Sequence, residues 1–180
     1  MKTAFKTLAL TLTLALSFTA NAQKFPDLDP SPMDAATYPS SYKISEKAIK
    51  VIYSRPQLKG RDLSKLAPND DVWRTGANEA TEITFYKPVM FGNTRVKPGT
   101  YSLFTIPGNK EWTIILSSEI NIWGAYTYKQ EDDVTRIKVP VSQSKDTLEA
   151  FSIVFEGSPT GADMYMGWGT LRVKVPFTIL

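Results

Sequence analysis

Gly99–Ser117 reads GTYSLFTIPGNKEWTIILS. Its first half alternates, with Tyr101, Leu103 and Thr105 on one face and Ser102, Phe104 and Ile106 on the other. Strand side chains repeat with a period of two, so the run predicts a β-strand. Pro107-Gly108-Asn109 then turns the chain into Glu111–Ser117, where Trp112, Ile114 and Leu116 share a face. Working outward, the same signs recur. Ile49–Tyr53 and Glu82–Tyr86 are rich in β-branched and aromatic residues, and Val89–Val96 reads as a hairpin turning at Gly92-Asn93. Val134–Val141, Phe151–Glu156, Met164–Trp168 and Leu171–Phe177 follow. In the last, Leu171, Val173, Val175 and Phe177 alternate with Arg172 and Lys174, as in a half-buried antiparallel strand. Roughly nine or ten short strands with Gly/Pro/Asn turns and almost no helical period predict an all-β antiparallel β-sandwich, jelly-roll-like or related. Arg61–Leu66 is expected to form at most one short helix or turn, and Pro140 and Pro176 to mark edge strands or strand ends.

Residues 1–22 read as an export signal. Lys2 and Lys6 form a basic start, Leu8–Phe18 an apolar middle, and Ala20-Asn21-Ala22 a small-x-small cleavage site. The apolar run is roughly a dozen residues, short of the about 20 that span a bilayer. No later run approaches that length. Cleavage is expected to leave Gln23 at the N-terminus, and the domain is expected in the periplasm or secreted. Residues 23–40 carry Pro26, Pro30, Pro32 and Pro39 without an apolar period, and read as an extended linker. Residues 41–180 then form a single domain, long enough to bury a substantial core.

The chain contains no Cys and no His. An exported domain without disulfides relies on its core for stability. Zinc sites, Cys–His dyads and Ser–His–Asp triads are excluded, which leaves carboxylates, Lys, Tyr or an oxygen-ligated metal for any catalysis. No D-x-D-x-D-G spacing is present, so no metal is expected, and nothing implies a cofactor. The formal charge is +3, but removing Lys2 and Lys6 leaves 19 basic residues against 18 acidic ones. Without a dense basic patch, nucleic acid is not an expected partner.

The segment densest in chemistry is Val72–Thr84, VWRTGANEATEIT. Arg74 offers a planar fork of donors for a carboxylate, phosphate or sugar oxygen. Asn78 can donate and accept beside it, Glu79 can accept from a hydroxyl, and Gly76 permits a close backbone approach. The structural reading comes first: Arg74 pairs with Glu79 or an Asp, Trp73 plugs the sandwich and Asn78 satisfies loop carbonyls. Tyr53, Arg55, Lys59 and Arg61 could join Arg74 in a cationic pocket, Arg55 being best placed because it ends a strand next to Pro56. Trp123 and Tyr126, in the loop-like Trp123-Gly124-Ala125-Tyr126, could stack on a sugar ring, whereas Trp112 alternates with Ile114 and Leu116 as core. The acidic clusters Asp70-Asp71 and Glu131-Asp132-Asp133 read as solvated loops. Glu79 with Asp71 or Asp133 would be needed for a glycosidase pair about 5–9 Å apart.

Several blocks carry a family resemblance: Tyr53-Ser54-Arg55-Pro56, Lys59-Gly60-Arg61, Val72–Thr81, Gly99–Pro107, Glu111-Trp112-Thr113 and Trp123-Gly124-Ala125-Tyr126. Together they resemble the DUF2911 family, over nearly all of the chain from about residue 40 onward. The resemblance implies an exported, β-rich domain typical of Bacteroidetes and related bacteria, and implies no activity. Three functions are therefore carried forward. One is a module that binds a small polar or glycan ligand at one end of the sandwich through Arg55, Arg74, Asn78, Glu79, Trp123 and Tyr126. The others are a carboxylate-dependent glycan hydrolase and a structural or assembly protein of the cell envelope.

Overall fold

The computed structural model describes residues 23–180, so the expected export signal lies outside the described residues. Nine strands follow in order: β1 (Met33–Tyr38), β2 (Ile49–Ser54), β3 (Thr81–Phe85), β4 (Val89–Phe91), β5 (Thr94–Val96), β6 (Gly99–Ile106), β7 (Glu111–Ser117), β8 (Asp133–Ser158) and β9 (Gly161–Ile179). All pair antiparallel, in the spatial order β1-β2-β3-β6-β7-β8-β9-β4-β5. The only helical pieces among the described residues are 3-10 turns at Leu63–Lys65 and Gln130–Asp132.

One continuous, unclosed sheet becomes a sandwich because β8 serves two layers. Its first part, Asp133–Pro140, pairs with β7, and Val141–Ser158 pairs with β9. The sheet folds over along β8, and aromatic rings meet between the layers. Tyr53 lies 5.8 Å from Phe151, and Phe85 lies 5.5 Å from Phe177. Pro140 stands at this crease, and Pro176 falls between the β8 pairing that ends at Val173 and the β4 pairing at Thr178. Both prolines mark the hand-over between ladders, where a missing N–H costs least.

The all-β antiparallel expectation holds, with two differences of detail. Residues 134–141 and 151–156 belong to one strand, β8, and residues 164–168 and 171–177 to another, β9. The polar run between the β8 segments hides its strand character, and register shifts around Leu148 absorb the lost alternation. Gly169, at φ +54, lies opposite Leu148 and supplies the left-handed residue such a bulge requires. Second, Met33–Tyr38 lies inside the stretch read as linker yet pairs along its length with β2. Its sequence MDAATY has little β propensity. As an edge strand it is held by backbone hydrogen bonds and leaves half its residues exposed.

A clasp ties the C-terminal end of β2 to β8. The Tyr53 hydroxyl accepts the Ile153 N–H at 2.9 Å. Arg55 donates from Nε to the Phe151 carbonyl at 3.0 Å and from Nη2 to Ser152 Oγ at 2.7 Å, and its Nη1 pairs with Asp34 at 3.0 Å. The core fills the space between the layers. A second, smaller cluster of Ala80, Phe104 and Ile115 lies on the outer face of the first layer, where Ile122, Ala125 and Tyr128 cover it.

Candidate functional site

The site is built by Val72–Thr81. Trp73 exchanges backbone hydrogen bonds with Thr105 of β6, at 2.7 and 2.9 Å. This strand-like pairing sends its indole inward against Trp112, Phe151 and Trp168. The indole N–H donates to the Gly76 carbonyl at 3.1 Å, and Thr81 Oγ1 donates to the Thr75 carbonyl at 2.7 Å. Left-handed backbone at Thr75 (φ 56) and Asn78 (φ 60) coils the segment tightly. Gly76 makes the close approach expected of it: a Cβ there would stand 3.0 Å from the Ser54 carbonyl oxygen.

The coil then pairs with the aromatic loop. Ala80 N–H donates to the Ile122 carbonyl at 2.8 Å, and Gly124 N–H to the Asn78 carbonyl at 2.9 Å. Glu79 and Trp123 stand opposite each other between these bonds. The two segments thus form a short antiparallel tongue over the outer face of the first layer. Cross-strand partners share a face, so Glu79 and Trp123 project together. Both are exposed, Trp123 by 60%. Ala80 and Ile122 turn down onto Phe104 and Ile115.

Of the residues singled out in the sequence, the tongue brings together Arg74, Asn78, Glu79, Trp123 and Tyr126. Arg74 is half-buried and runs beneath Gly124. Its Nη1 and the Tyr126 ring both approach the point where a Gly124 Cβ would stand, at 3.5 and 2.6 Å. The expected pairing of Arg74 with Glu79 or an Asp is not formed. Arg55 is held apart in the β2–β8 clasp, and Arg61 donates to the carbonyls of Gln57 and Leu58. No shared cationic pocket results. Trp112 is core, 2% exposed.

Beside the tongue lies a cavity of about 230 Å³, lined by Met33, Ile52, Tyr53, Ser54, Glu79, Ala80, Glu82 and Asn121. It opens beside β1–β3, where its lining includes the first residue of β1, the last residues of β2 and the start of β3. Glu82 lies across from Ile52 in the β2–β3 register and accepts the Asn121 N–H at 2.8 Å. Neither Glu79 nor Glu82 has a salt bridge among the described residues. Sequence reasoning missed Ser54, Glu82 and Asn121. Glu82 looks like the solvent side of an alternating strand, and only the tongue, which crosses that face, turns it into a wall. The available signal was the carboxylate side chain at the start of β3, directly after Val72–Thr81. The carboxylate pairs anticipated with Asp71 or Asp133 are not assembled, since Asp71 does not line the cavity and Asp133 is engaged elsewhere.

Asp133 locks the far end of the covering loop. Its carboxylate accepts the Tyr128 hydroxyl at 2.9 and 3.0 Å and pairs with Arg136, whose Nη2 also donates to the Tyr128 oxygen at 2.8 Å. Burial, and then the hydrogen bond to Asp133, push the Tyr128 hydroxyl up from 10 to about 12. A raised acid holds its proton more tightly folded than unfolded. The resulting stability is present below about pH 10 and is lost as pH rises from 10 towards about 12. Urea midpoints measured across that window should fall more steeply for wild type than for Tyr128→Phe. Parallel curves would show that the hydroxyl contributes nothing to the lock.

The family model for DUF2911, a protein of unknown function, matches residues 31–177. The chain belongs to the DUF2911 family. The match begins just before β1 and ends within β9, so it takes in every strand of the fold, the tongue and the cavity. No curated protein and no solved structure matches the chain. Among the described residues of this DUF2911 protein, no helix is long and apolar enough to cross a membrane.

Proposed function

We propose that this protein is an exported module that binds a small polar or glycan ligand in the cavity beside the tongue. One observation carries the reading: Glu79 and Glu82, without ionic partners, converge with Asn121 over the apolar floor of Ile52, Met33 and Ala80. Small-molecule sites combine apolar walls with a few aimed polar groups in this way. Carboxylates accept from sugar hydroxyls, and the exposed Trp123 beside Glu79 offers an aromatic face for the ring. The volume is about 230 Å³, below the roughly 300–1,000 Å³ of drug-sized sites, and suits one ring or the end of a chain. The order of charge, apolar run and cleavage site in residues 1–22 supports export.

Intrinsic fluorescence tests the proposal. Trp73, Trp112 and Trp168 are 5%, 2% and 2% exposed against 60% for Trp123, so accessible emission belongs to Trp123. Titration with a panel of monosaccharides and short oligosaccharides should change that emission. The change should vanish in Trp123→Phe, and affinity should fall at least about tenfold in Glu79→Gln, the loss of one charged hydrogen bond. A panel that leaves both emission and melting temperature unmoved sinks the reading. Glycan hydrolysis is the second reading, favoured by two glutamates in one cavity. It requires release of reducing ends from the same panel and their loss in both Glu79→Gln and Glu82→Gln. The Asn121 N–H bound to Glu82 gives that carboxylate a structural duty, which weighs towards binding over turnover.

A further inference from the structure

Arg74 stands apart from the other arginines that pack into this fold. Arg55 donates to Phe151, Ser152 and Asp34, Arg136 to Asp133 and Tyr128, and Arg172 to the carbonyls of Gly169, Leu171 and Asp146. The Arg74 side chain donates to no acceptor among the described residues, and its Nε is fully covered with no partner. A guanidinium carries five donors and keeps its charge at any physiological pH. Covering part of it unpaired is costly, and nothing in the surrounding packing offsets that cost.

The local geometry leaves an approach to it. Residue 124 is Gly, at φ +72, and any side chain there would fall between the Arg74 Nη1 and the Tyr126 ring. Tyr126 is 81% exposed, and Arg74 itself is half-buried, so part of its surface remains in solvent. Glu79 lines the cavity and faces outward with Trp123, and does not neutralise the charge from above. We infer that Arg74 anchors an oxyanion subsite beneath the tongue, which takes a carboxylate or phosphate group and presents Tyr126 at its rim. The fork geometry of guanidinium matches the paired oxygens of either group. The subsite is separate from the glutamate-lined cavity and does not depend on the glycan reading of it.

The test uses Arg74→Met, which keeps side-chain length and removes the charge, beside Arg74→Lys, which keeps charge without the fork. Melting temperatures are measured at constant ionic strength in chloride, then with inorganic phosphate, glucuronate or neutral glucose. In chloride, Arg74→Met is expected to melt at or above wild type, because an unanswered charge has been removed. Phosphate or glucuronate should raise the wild-type midpoint and leave Arg74→Met unmoved, with Arg74→Lys at least about tenfold weaker than wild type, as expected for loss of a bidentate charged contact. A response to phosphate alone assigns the ligand group as phosphate, and to glucuronate alone as a sugar acid. The inference is overturned if Arg74→Met melts well below wild type in chloride, if wild type responds to neither anion, or if the anions raise both proteins equally. Glu79→Gln alters the glutamate cavity, whose lining excludes Arg74, and should keep the anion response, so failure at one site is distinguishable from failure at the other.

Discussion

Trp73→Ala is expected to cost about 3–5 kcal/mol of stability, the usual range for removing a buried large aromatic side chain. Three contacts set the size of the effect. Trp73 stacks on Trp168 at 5.7 Å, meets Phe151 at 5.1 Å and meets Trp112 edge-on at 6.0 Å. It therefore joins the two layers where they are most aromatic. Its indole N–H also holds the Gly76 carbonyl, so truncation loosens the start of the tongue as well as the core. Domains of this size are stable by only about 5–15 kcal/mol, which makes the loss a large fraction of the total. Urea unfolding followed by far-UV circular dichroism gives the value. Trp123→Ala is the internal control and should stay within about 0.5 kcal/mol of wild type, as exposed substitutions usually do. A cost below about 1.5 kcal/mol for Trp73→Ala would mean that the cluster repacks around the gap, contrary to the tight interlayer contacts.

Gly161→Ala is the second large effect, and its cause is space rather than conformation. A Cβ at residue 161 would lie 2.4 Å from the Phe177 carbonyl oxygen and 2.7 Å from the Ile179 amide nitrogen. Both obstacles are backbone, so no rotamer change relieves them. The returning end of β9 must shift, and with it the Ile179 hydrogen bond to the Thr160 carbonyl. Overpacking of this kind costs about 1–3 kcal/mol, and the upper half of that range is expected here. Gly60 makes the opposite case. It adopts φ +73 with nothing within 4 Å of its absent Cβ, so Gly60→Ala meets only backbone strain, about 1 kcal/mol. Thermal melts of the two variants should rank them in that order. The reverse order would show that the β8–β9 end yields more easily than its geometry indicates.

Residues whose alternation matches their burial were legible in the sequence. Leu171, Val173, Val175 and Phe177 read correctly because one face of β9 meets the core and the other meets water. The signal faded wherever stability comes from backbone pairing instead of side chains. Met33–Tyr38 carries no apolar stripe, and its strand exists because β2 offers it a ladder. Ser142–Ala150 conceals the continuity of β8 for the same reason. At the site, Arg74, Asn78, Glu79, Trp123 and Tyr126 stood out as text, since polar and aromatic groups crowd into two short, loop-like stretches beside strands. Their assembly did not, because Glu79–Trp123 pairing links positions 44 residues apart through two backbone hydrogen bonds that leave no trace in side-chain pattern. Arg55 shows the converse: its place at the end of β2 was correctly read, but its reach leads across to β8 and not into a cavity.

The clasp between β2 and β8 has a consequence for how this chain reaches its fold. Tyr53 and Ile153 are 100 residues apart in sequence. Joining them closes a long loop, whose entropic cost must be met before the contact returns anything. Proteins dominated by such distant pairings fold on millisecond-to-second timescales, far more slowly than those built from neighbouring contacts. The whole second layer, apart from the short β4–β5 hairpin, comes from Val141 onward. Until those strands arrive, β2, β3, β6 and β7 can pair with one another but have no opposite wall for Ile83, Leu103 and Trp112. The nascent sheet therefore waits with its apolar face uncovered, and its last fifth decides whether that face is buried or meets another chain.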